Sequence, residues 1–299
     1  MNDVFRRTLR NRHPYMFIAP AVILLTIFSI IPILIAFVIS FTNLDLKGLA
    51  DWSNIEFIGL ENYKELLSDD VFVTSLLNTG FYVVIGVPLV IICSLSIALL
   101  LNYGTSMLFK IFRSVYYMPS ITNIIAVAVI WGYLYNTEYG LFNYLLSLMS
   151  IENIPWLEEP TIAKISLIIL AVWKGIGINM IIFLAALQGI PRSYYEAAEM
   201  DGANRVQMLF NVTLPLLRYA TFFVTVTTLI GWMQFFEEPF VMTDGGPLDG
   251  TISIALFIYK EGFQYSEFGY AAAGSFVLFM LIIVVTLVQF KLRKSDVEH

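Results

Sequence analysis

Residues 193–203 read Ser-Tyr-Tyr-Glu-Ala-Ala-Glu-Met-Asp-Gly-Ala, and Thr213-Leu214-Pro215 follow, in a polar segment (191–218) between two strongly apolar stretches. Pro191 breaks the preceding helix. Ser193, with Glu196 three residues later, fits a capping box, so we expect a new helix to begin near Ser193. The segment therefore predicts a helix that lies outside the apolar stretches.

A glycine interrupts this predicted helix. Gly202 weakens or ends it, at a cost of about 1 kcal/mol relative to alanine. A second helical stretch, 203–212, then leads to Pro215, where the next apolar stretch begins. The small side chains of Ala197 and Ala198 give the first helix a smooth face that suits docking against another protein. On composition alone, a surface loop that shields a helical bundle fits equally well.

The composition is that of a membrane protein. The chain has 58% hydrophobic and 13% charged residues, where a soluble domain carries roughly 25% charged residues, and its mean hydropathy is +0.77. Its apolar residues fall into runs long enough for a helix to cross a bilayer. The runs are 15–41, 71–101, 115–135, 162–187, 219–242 and 268–290. The sequence predicts an all-α membrane protein with six transmembrane helices.

Lysine and arginine are concentrated on one side of these six runs, and this bias sets the orientation of a membrane protein. That side holds Arg6, Arg7, Arg10, Arg12, Lys110, Arg113, Arg192, Arg205, Arg218, Lys291, Arg293 and Lys294. We therefore expect both termini and the 191–218 segment to be cytoplasmic. The chain then divides into a basic N-terminal tail (1–14), one helical membrane domain (15–291) and a C-terminal tail (292–299).

The longest loop on the opposite side contains an amphipathic stretch. Residues 59–67 read Gly-Leu-Glu-Asn-Tyr-Lys-Glu-Leu-Leu. This pattern predicts a short helix that lies along the membrane surface. A plain connector with one or two helical turns is the alternative.

The motif residues of the 191–218 segment are Glu196-Ala197-Ala198, Asp201-Gly202-Ala203 and Leu214-Pro215. In identity, spacing and position between the fourth and fifth runs, they closely resemble the EAA loop of permease subunits of binding-protein-dependent ABC importers. Val212 stands where that family usually has isoleucine, a conservative change. The resemblance implies the type I ABC importer permease fold, with a coupling helix in a cleft of the ATPase. Glu196 would face basic residues of the ATPase, and Gly202 would permit the turn between helices.

Other stretches are similar to the carbohydrate-uptake, maltose-permease-like branch of this family. They are Gly59-Leu60-Glu61-Asn62-Tyr63, residues 184–191, Thr243-Asp244-Gly245-Gly246-Pro247 and residues 251–273. The resemblance implies a subunit in a bacterial or archaeal plasma (inner) membrane that moves a sugar into the cytoplasm by alternating access. It also implies the partners: a second, homologous permease, two ATPase subunits that bind ATP and Mg²⁺, an extracellular or periplasmic sugar-binding protein and membrane lipid, with no nucleic acid.

The sequence lacks the motifs of several enzyme classes. No G-x-x-x-x-G-K-[ST] phosphate loop occurs, so the chain is not expected to hydrolyse ATP itself, and neither H-E-x-x-H nor G-x-S-x-G is present. The single cysteine, Cys93, excludes an intramolecular disulfide. Both histidines, His13 and His299, lie outside the six runs. We therefore expect a chain that is not an enzyme and binds no metal or cofactor of its own.

Three ionisable residues lie at depth in the predicted spans: Lys174 in the fourth, and Glu237 and Glu238 in the fifth. A charge at the bilayer centre costs roughly 2.5–3.5 kcal/mol, so such residues usually face a bundle interior or a water-filled path. By helical rise, Lys174 and Glu237 lie within about one and a half turns of each other in depth. Three interpretations stay open: a structural ion pair, glutamates at the membrane interface where Pro239 ends the helix, or a carboxylate that binds sugar hydroxyls.

The candidate substrate pathway joins these charges to their sequence neighbours Trp173, Gly175, Asn179, Trp232 and Gln234. Small-molecule sites combine aromatic walls with a few polar groups, although aromatic residues also form interfacial belts. Asn78, Asn123 and Asn179 equally fit interhelical hydrogen bonds worth about 0.6 kcal/mol each. Since the adjacent carboxylates would repel an acidic sugar unless Lys174 neutralised them, we expect a neutral oligosaccharide.

A second class of function uses the same charges. In an ion- or proton-coupled secondary transporter, Lys174, Glu237 and Glu238 would form a charge relay. Such transporters usually contain internal repeats and a pair of broken helices, and the sequence indicates neither. The Glu-Ala-Ala segment has no evident use in that class.

Overall fold

A computed structural model describes residues 12–104 and 106–295. Every regular element in this part of the chain is helical, and the only β feature there is an isolated bridge between Thr42 and Phe57. Most of the two expected tails, residues 1–11 and 296–299, lies outside the described residues. The last helix, Phe268–Ser295, runs past the expected end of the membrane domain at residue 291. The all-α prediction is confirmed for the described residues.

The described residues form two compact units by their internal contacts. One contains residues 12–68 and Ile258–Val277, and the other contains Asp69–Phe257 and residues 278–295. The coupling segment and the ionisable residues of the fourth and fifth spans all belong to the second unit.

Within the described residues, five helices are long and apolar enough to cross a membrane. They are Tyr15–Ile39, Asp70–Asn102, Pro160–Gln188, Arg218–Met242 and Phe268–Leu292. We number them the first, second, fourth, fifth and sixth spans, because each coincides with the corresponding predicted run. The first contains a π-helical turn, Thr26–Ile30, just before Pro32, whose ring nitrogen cannot donate a helical hydrogen bond. The chain is an integral membrane protein.

The third span is broken. Helices Met107–Ile121 and Ile124–Leu134 meet at an angle of 99°, so the prediction of one helix over 115–135 is wrong. Pro119 lies in the last turn of the first helix, and Asn123 caps the second by accepting a hydrogen bond from the Ile125 amide at 2.8 Å. This cap starts a new helix in a new direction. Counted as one span, this bent pair brings the number of candidate spans in the described residues to six.

The fifth span also has a break, at residues 234–236. Its first helix is Arg218–Met233, and a second, Glu237–Met242, follows. The expectation that Pro239 ends the helix is wrong, because Pro239 lies in the first turn of the second helix, where a missing N–H costs nothing. Glu237 and Glu238 occupy the same first turn, where the helix dipole favours negative charge.

In the first unit, the amphipathic stretch forms the helix Glu61–Ser68, whose length of about two turns fits both interpretations of the stretch. Its Asn62 side chain donates hydrogen bonds of 2.9 Å to the carbonyls of Ser40 and Thr42, at the end of the first span. Those carbonyls would otherwise lack partners, as helix termini do. Two hydrogen bonds therefore hold this helix against the end of the first span.

In the second unit, the fourth span packs closely against the first helix of the third. A Cβ at Gly177 would lie 2.4 Å from the Tyr116 carbonyl oxygen, so this approach requires glycine. Ser120 Oγ donates a hydrogen bond of 2.6 Å to the Lys174 carbonyl. A cluster of buried apolar side chains joins the fourth span to the second and fifth spans. It includes Ala98, Leu101, Met180, Phe183, Leu184 and Val224. These contacts hold the backbone around Lys174 in a defined position.

Candidate functional site

The first helix of the coupling segment (191–218) is Arg192–Met200, so the predicted helix exists. Its N-terminal residue is different from the one expected. Pro191 is the N-cap and forms no side-chain capping bond, while the Tyr194 amide donates to the Pro191 carbonyl at 3.2 Å. Ser193 is already helical and cannot cap, so the predicted capping box is wrong. The Glu196 carboxylate instead lies 3.6 Å from the Arg192 guanidinium on the exposed face.

The helix ends just before Gly202, which is one of the two outcomes predicted for this glycine. Gly202 has a φ of +80°, a conformation that glycine adopts without the penalty paid by residues with a Cβ. The Asp201 amide donates to the Ala197 carbonyl at 3.0 Å, and the Ala203 amide to the Ala198 carbonyl at 2.9 Å. These bonds satisfy carbonyls that the helix end leaves open. Gly202 therefore sets the change of direction in the segment.

The second half of the segment begins later than predicted. A capping box joins Asn204 and Gln207, with two hydrogen bonds of 2.9 Å, and starts a helix at Arg205. The chain continues as a π-helix, Leu209–Thr213, and a short turn, Leu214–Leu216, before the fifth span. The structure thus has a short α-helix followed by a π-helix where one helix over 203–212 was expected.

The coupling segment presents an exposed surface of mixed chemistry. Glu196 and Ala197 are exposed and Ala198 is half-buried, so the small face of the first helix is accessible. Large apolar side chains lie exposed near it; they are Tyr194, Met200, Val206 and Phe210. Exposed apolar groups beside charged ones are typical of a surface that binds another protein.

A cavity of about 630 Å³ lies between the fourth and fifth spans, a volume usual for small-molecule sites. The fourth span contributes one face of its helix: Ala171, Lys174, Gly175, Ile178, Asn179 and Ile182. The facing stripe of the fifth span is Phe223, Thr227, Thr228, Gly231 and Trp232. Both stripes recur every three or four residues. The stripe of the fourth span is roughly 16 Å long at the rise of an α-helix.

An ion pair occupies one end of this cavity, which we call the charged end. Lys174 Nζ lies 3.0 Å from Glu237 Oε2, and the two side chains are 18% and 57% exposed. The prediction that these residues lie close together is confirmed. Because the pair is accessible, it stabilises the fold by no more than about 1 kcal/mol. Glu238 lines the same end but is buried.

Most of the predicted pathway residues line this cavity. They are Lys174, Gly175, Asn179, Trp232, Gln234, Glu237 and Glu238. Trp173 instead packs beside Trp131, with ring centroids 5.4 Å apart. Consecutive helical residues point about 100° apart. Lys174 and Gly175 share the face that lines the cavity, and Trp173, on the other side of Lys174, lies off that face.

The three span asparagines act differently from one another. Asn78 donates to the carbonyls of Asp249 and Ile252 at 3.1 and 3.0 Å and accepts from Lys164 at 3.1 Å. Asn123 caps its own helix, and Asn179 donates to the Gly175 carbonyl within its own helix at 3.0 Å. The expectation of interhelical bonds is therefore wrong for Asn123 and Asn179.

The family of binding-protein-dependent transport system inner membrane components matches residues 9–295 of the chain. The chain belongs to this family. It is 39% identical over 297 residues to the probable ABC transporter permease protein YesP of Bacillus subtilis, which covers 97% of this chain and 93% of that protein. It is 33% identical over 289 residues to the arabinooligosaccharides transport system permease protein AraP of Halalkalibacterium halodurans, with 95% and 89% covered.

The fold of this permease is similar to that of solved transporters. It aligns with a chain of the crystal structure of a bacterial alginate ABC transporter in complex with alginate pentasaccharide-bound periplasmic protein. The TM-score is 0.77, the sequence identity 24%, and 95% of each chain is covered. The permease therefore has the type I ABC importer permease fold that the EAA resemblance implied.

Family membership also bears on the secondary-transporter alternative. The sequence indicates neither internal repeats nor a pair of broken helices; the second of these two predictions is wrong, since the third and fifth spans of the permease are both broken. Half-helices at a cavity occur in transporters of several mechanisms. The match to binding-protein-dependent permeases, rather than helix continuity, disfavours a proton- or ion-coupled mechanism.

Several cavity residues of the permease were not foreseen. Ile178 and Ile182 could have been found, because they continue the three-and-four spacing from Lys174 along one helix face. Ser120 could not, because it lines the cavity only where the third span bends. Thr228 carried no sequence signal, since threonines are common in this span.

Proposed function

We propose that this chain is the permease subunit of an ABC importer that moves a neutral oligosaccharide into the cytoplasm by alternating access driven by partner ATPases. The observation that carries the proposal is the position of Glu237. Its accessible carboxylate, paired with Lys174, lies in a cavity walled by two membrane-crossing helices of a permease. Charges placed at such depth usually serve a transport pathway.

The chemistry of the cavity supports a sugar as the substrate. Trp232, Phe235 and Phe236 provide ring faces, and Gln234 and Glu237 provide planar hydrogen-bonding groups, all on one cavity wall. Sugars expose both apolar ring faces and hydroxyls, which match these two kinds of group. Relatives at 33–34% identity are named as permeases for arabinooligosaccharides and for lactose, which are neutral sugars.

Charge favours a neutral sugar over an acidic one. The cavity is lined by one basic side chain, Lys174, and two acidic ones, Glu237 and Glu238. Lys174 is already paired with Glu237, so it offers little to a uronic acid or phosphate group. An acidic sugar would enter a site without a spare cation.

The proposed transporter contains further subunits. We infer a second, homologous permease, two ATP-binding cassette subunits and an extracellular or periplasmic sugar-binding protein, in a bacterial or archaeal plasma membrane. ATP and Mg²⁺ would be bound by the ATPases, since this sequence has no phosphate loop, and this chain would bind no cofactor and catalyse no reaction itself. The solved relative includes a periplasmic protein, which supports the partner of that kind.

The coupling segment gives the proposed route from ATP to the cavity. With both termini and residues 191–218 on the cytoplasmic side, the first helix would enter a cleft of the ATPase. Glu196 would meet its basic residues, and Ala197 with Ala198 would pack into the cleft. Asp201, Gly202, Ala203, Leu214 and Pro215 complete the motif and pass the movement to the fifth span, which lines the cavity.

Uptake by cells that carry or lack this chain tests the proposal. Radiolabelled arabinotriose, lactose and maltotriose are offered as neutral probes, and an alginate trisaccharide as the acidic probe. We expect uptake of at least one neutral sugar that depends on the chain and stops when ATP is depleted while the proton gradient is kept. Uptake that persists without ATP, or that favours the alginate trisaccharide, would contradict the proposal.

A further inference from the structure

One hydroxyl in the cavity wall has no hydrogen-bond partner. Thr228 lines the cavity from the fifth span with only 8% of its surface exposed. Its Oγ1 is buried and makes no hydrogen bond to any of the described residues. Buried side-chain hydroxyls nearly always have a partner, so this exception needs an explanation.

The two neighbouring threonines do not share this property. Thr225 Oγ1 donates to the Thr221 carbonyl at 2.7 Å. Thr227 Oγ1 donates to the Phe223 carbonyl at 2.9 Å and lies 3.2 Å from that of Val224. A helical threonine ordinarily uses the carbonyl three or four residues before it in this way. Thr228 has the same option and does not take it, so its hydroxyl is uncommitted.

The position of Thr228 separates it from the charged end. It lies nine residues before Glu237, beyond the break at residues 234–236. The cavity lining on that side of the break includes Phe223 and Thr227 as well. A ligand held only by the ion pair would leave this second end, which we call the threonine end, unfilled.

We propose that Thr228 is a substrate-contacting residue that binds a hydroxyl of a second sugar ring, apart from the ring at Lys174 and Glu237. Because its oxygen lies just below the cavity surface, the contact requires rotation about the Cα–Cβ bond, which moves the hydroxyl into the place of the methyl group. The threonine end thus selects substrates of at least two rings. This inference rests on the proposed function.

The test compares Thr228→Val with Thr227→Val in the full chain, in its native cells and in the purified transporter complex. Both changes replace a hydroxyl by a methyl group at the cavity, but only Thr228 has an uncommitted hydroxyl. Thr228→Ser keeps the hydroxyl and removes the methyl group. The probe is whichever of arabinotriose, lactose and maltotriose the native cells take up fastest. The readouts are initial uptake at a sugar concentration well below saturation and the rise in melting temperature that the sugar produces.

For Thr228→Val we expect uptake to fall about three- to tenfold, the effect of one lost hydrogen bond between neutral groups, and the rise in melting temperature to shrink. Thr227→Val and Thr228→Ser should stay within about twofold of the native chain. Without sugar, Thr228→Val should melt at the native temperature or above it, because an unpaired buried hydroxyl has been removed. If the Thr228 hydroxyl only stabilised the fold, Thr228→Val would instead melt below the native temperature.

Three outcomes would overturn the inference: native uptake by Thr228→Val, equal losses in the two valine variants, or a lower sugar-free melting temperature for Thr228→Val. In each of these cases the native chain still takes up the sugar, so the proposed function stands. If the native cells take up none of the three sugars, the proposed function fails, and this inference fails with it.

Discussion

The indole ring of Trp232 lies directly against the backbone of Gly86: a Cβ at Gly86 would be 1.9 Å from Trp232 Cζ3. The ring is buried and stacks on Phe235, with centroids 5.2 Å apart. Phe235 in turn packs on Tyr82 of the second span, at 4.7 Å. Since Trp232 and Phe235 flank the start of the break at residues 234–236, this contact fixes the cavity wall against the second span.

Gly86→Ala should therefore damage both stability and transport. The new methyl group displaces a stacked, buried ring, and overpacking of this kind costs about 1–3 kcal/mol of folding free energy. We expect a lower melting temperature of the purified chain and slower sugar uptake, because the displaced Trp232 shifts the wall of the cavity.

Gly80→Ala is the matched control. Gly80 lies in the same helix, and a Cβ there would meet no atom within 4 Å. Alanine should leave stability unchanged or raise it by up to about 1 kcal/mol, by helix propensity alone. Equal effects of the two substitutions would mean that the contact with Trp232 is unimportant.

Glu237→Gln should separate binding from folding. The ion pair is accessible and stabilises the protein little, so we expect native abundance in the membrane. Uptake should fall by at least about tenfold, because a hydrogen bond to a charged group contributes about 1.5–3 kcal/mol. Uptake of a radiolabelled neutral trisaccharide, normalised to the amount of chain in the membrane, measures this.

The exchanged pair Lys174→Glu with Glu237→Lys decides whether the carboxylate binds sugar or only the lysine. The exchange keeps an ion pair but moves the carboxylate from the fifth span to the fourth. We expect native abundance and impaired uptake. Recovery of native uptake would instead support a structural ion pair, the interpretation in which the sugar touches neither group.

Sequence reasoning succeeded where the signal was local. Five of the six long apolar runs form helices long enough to cross a membrane, because the need to satisfy backbone groups in lipid leaves few other structures. Gly202 was identified as a residue that weakens or ends the helix, and the absence of a Cβ permits its left-handed conformation. Lys174 and Glu237 were placed at similar depth by counting helical rise from the ends of their spans, which needs no knowledge of packing, and the structure pairs them.

Sequence reasoning failed where tertiary structure or one backbone angle decided the outcome. The 191–218 segment offers two possible capping boxes, one at Ser193 and one at Asn204. Pro191, with a ψ of 135°, became the N-cap and placed Ser193 inside the helix. The bend at residues 122–123 was hidden because both halves of the third span are apolar. The missing partner of Thr228 depends on a side-chain rotamer, which a sequence does not reveal.

Glu196→Lys should uncouple ATP hydrolysis from transport without loss of membrane insertion, because it reverses the charge that faces the partner ATPase. Arg192→Ala is the control, since it removes the partner of Glu196 within the helix, 3.6 Å away, but keeps the carboxylate. That pair is exposed, so its loss should have little effect. The measurement is sugar transported per ATP hydrolysed by the complex in proteoliposomes. Unaltered transport by Glu196→Lys would argue against the coupling role.

Gly202→Ala should also uncouple the two activities, for a conformational reason. A Cβ at Gly202 would meet no atom within 4 Å, so steric contact is not the obstacle. The obstacle is the φ of +80° at this position, since a left-handed residue with a Cβ costs roughly 1–2 kcal/mol. Asparagine tolerates this region better than alanine. Gly202→Asn should therefore retain more sugar transported per ATP hydrolysed than Gly202→Ala, at equal abundance in the membrane. If Gly202→Asn and Gly202→Ala lose transport equally, the left-handed backbone is not the cause. The loss would then come from the added side chain, because only the backbone preference makes asparagine the milder substitution.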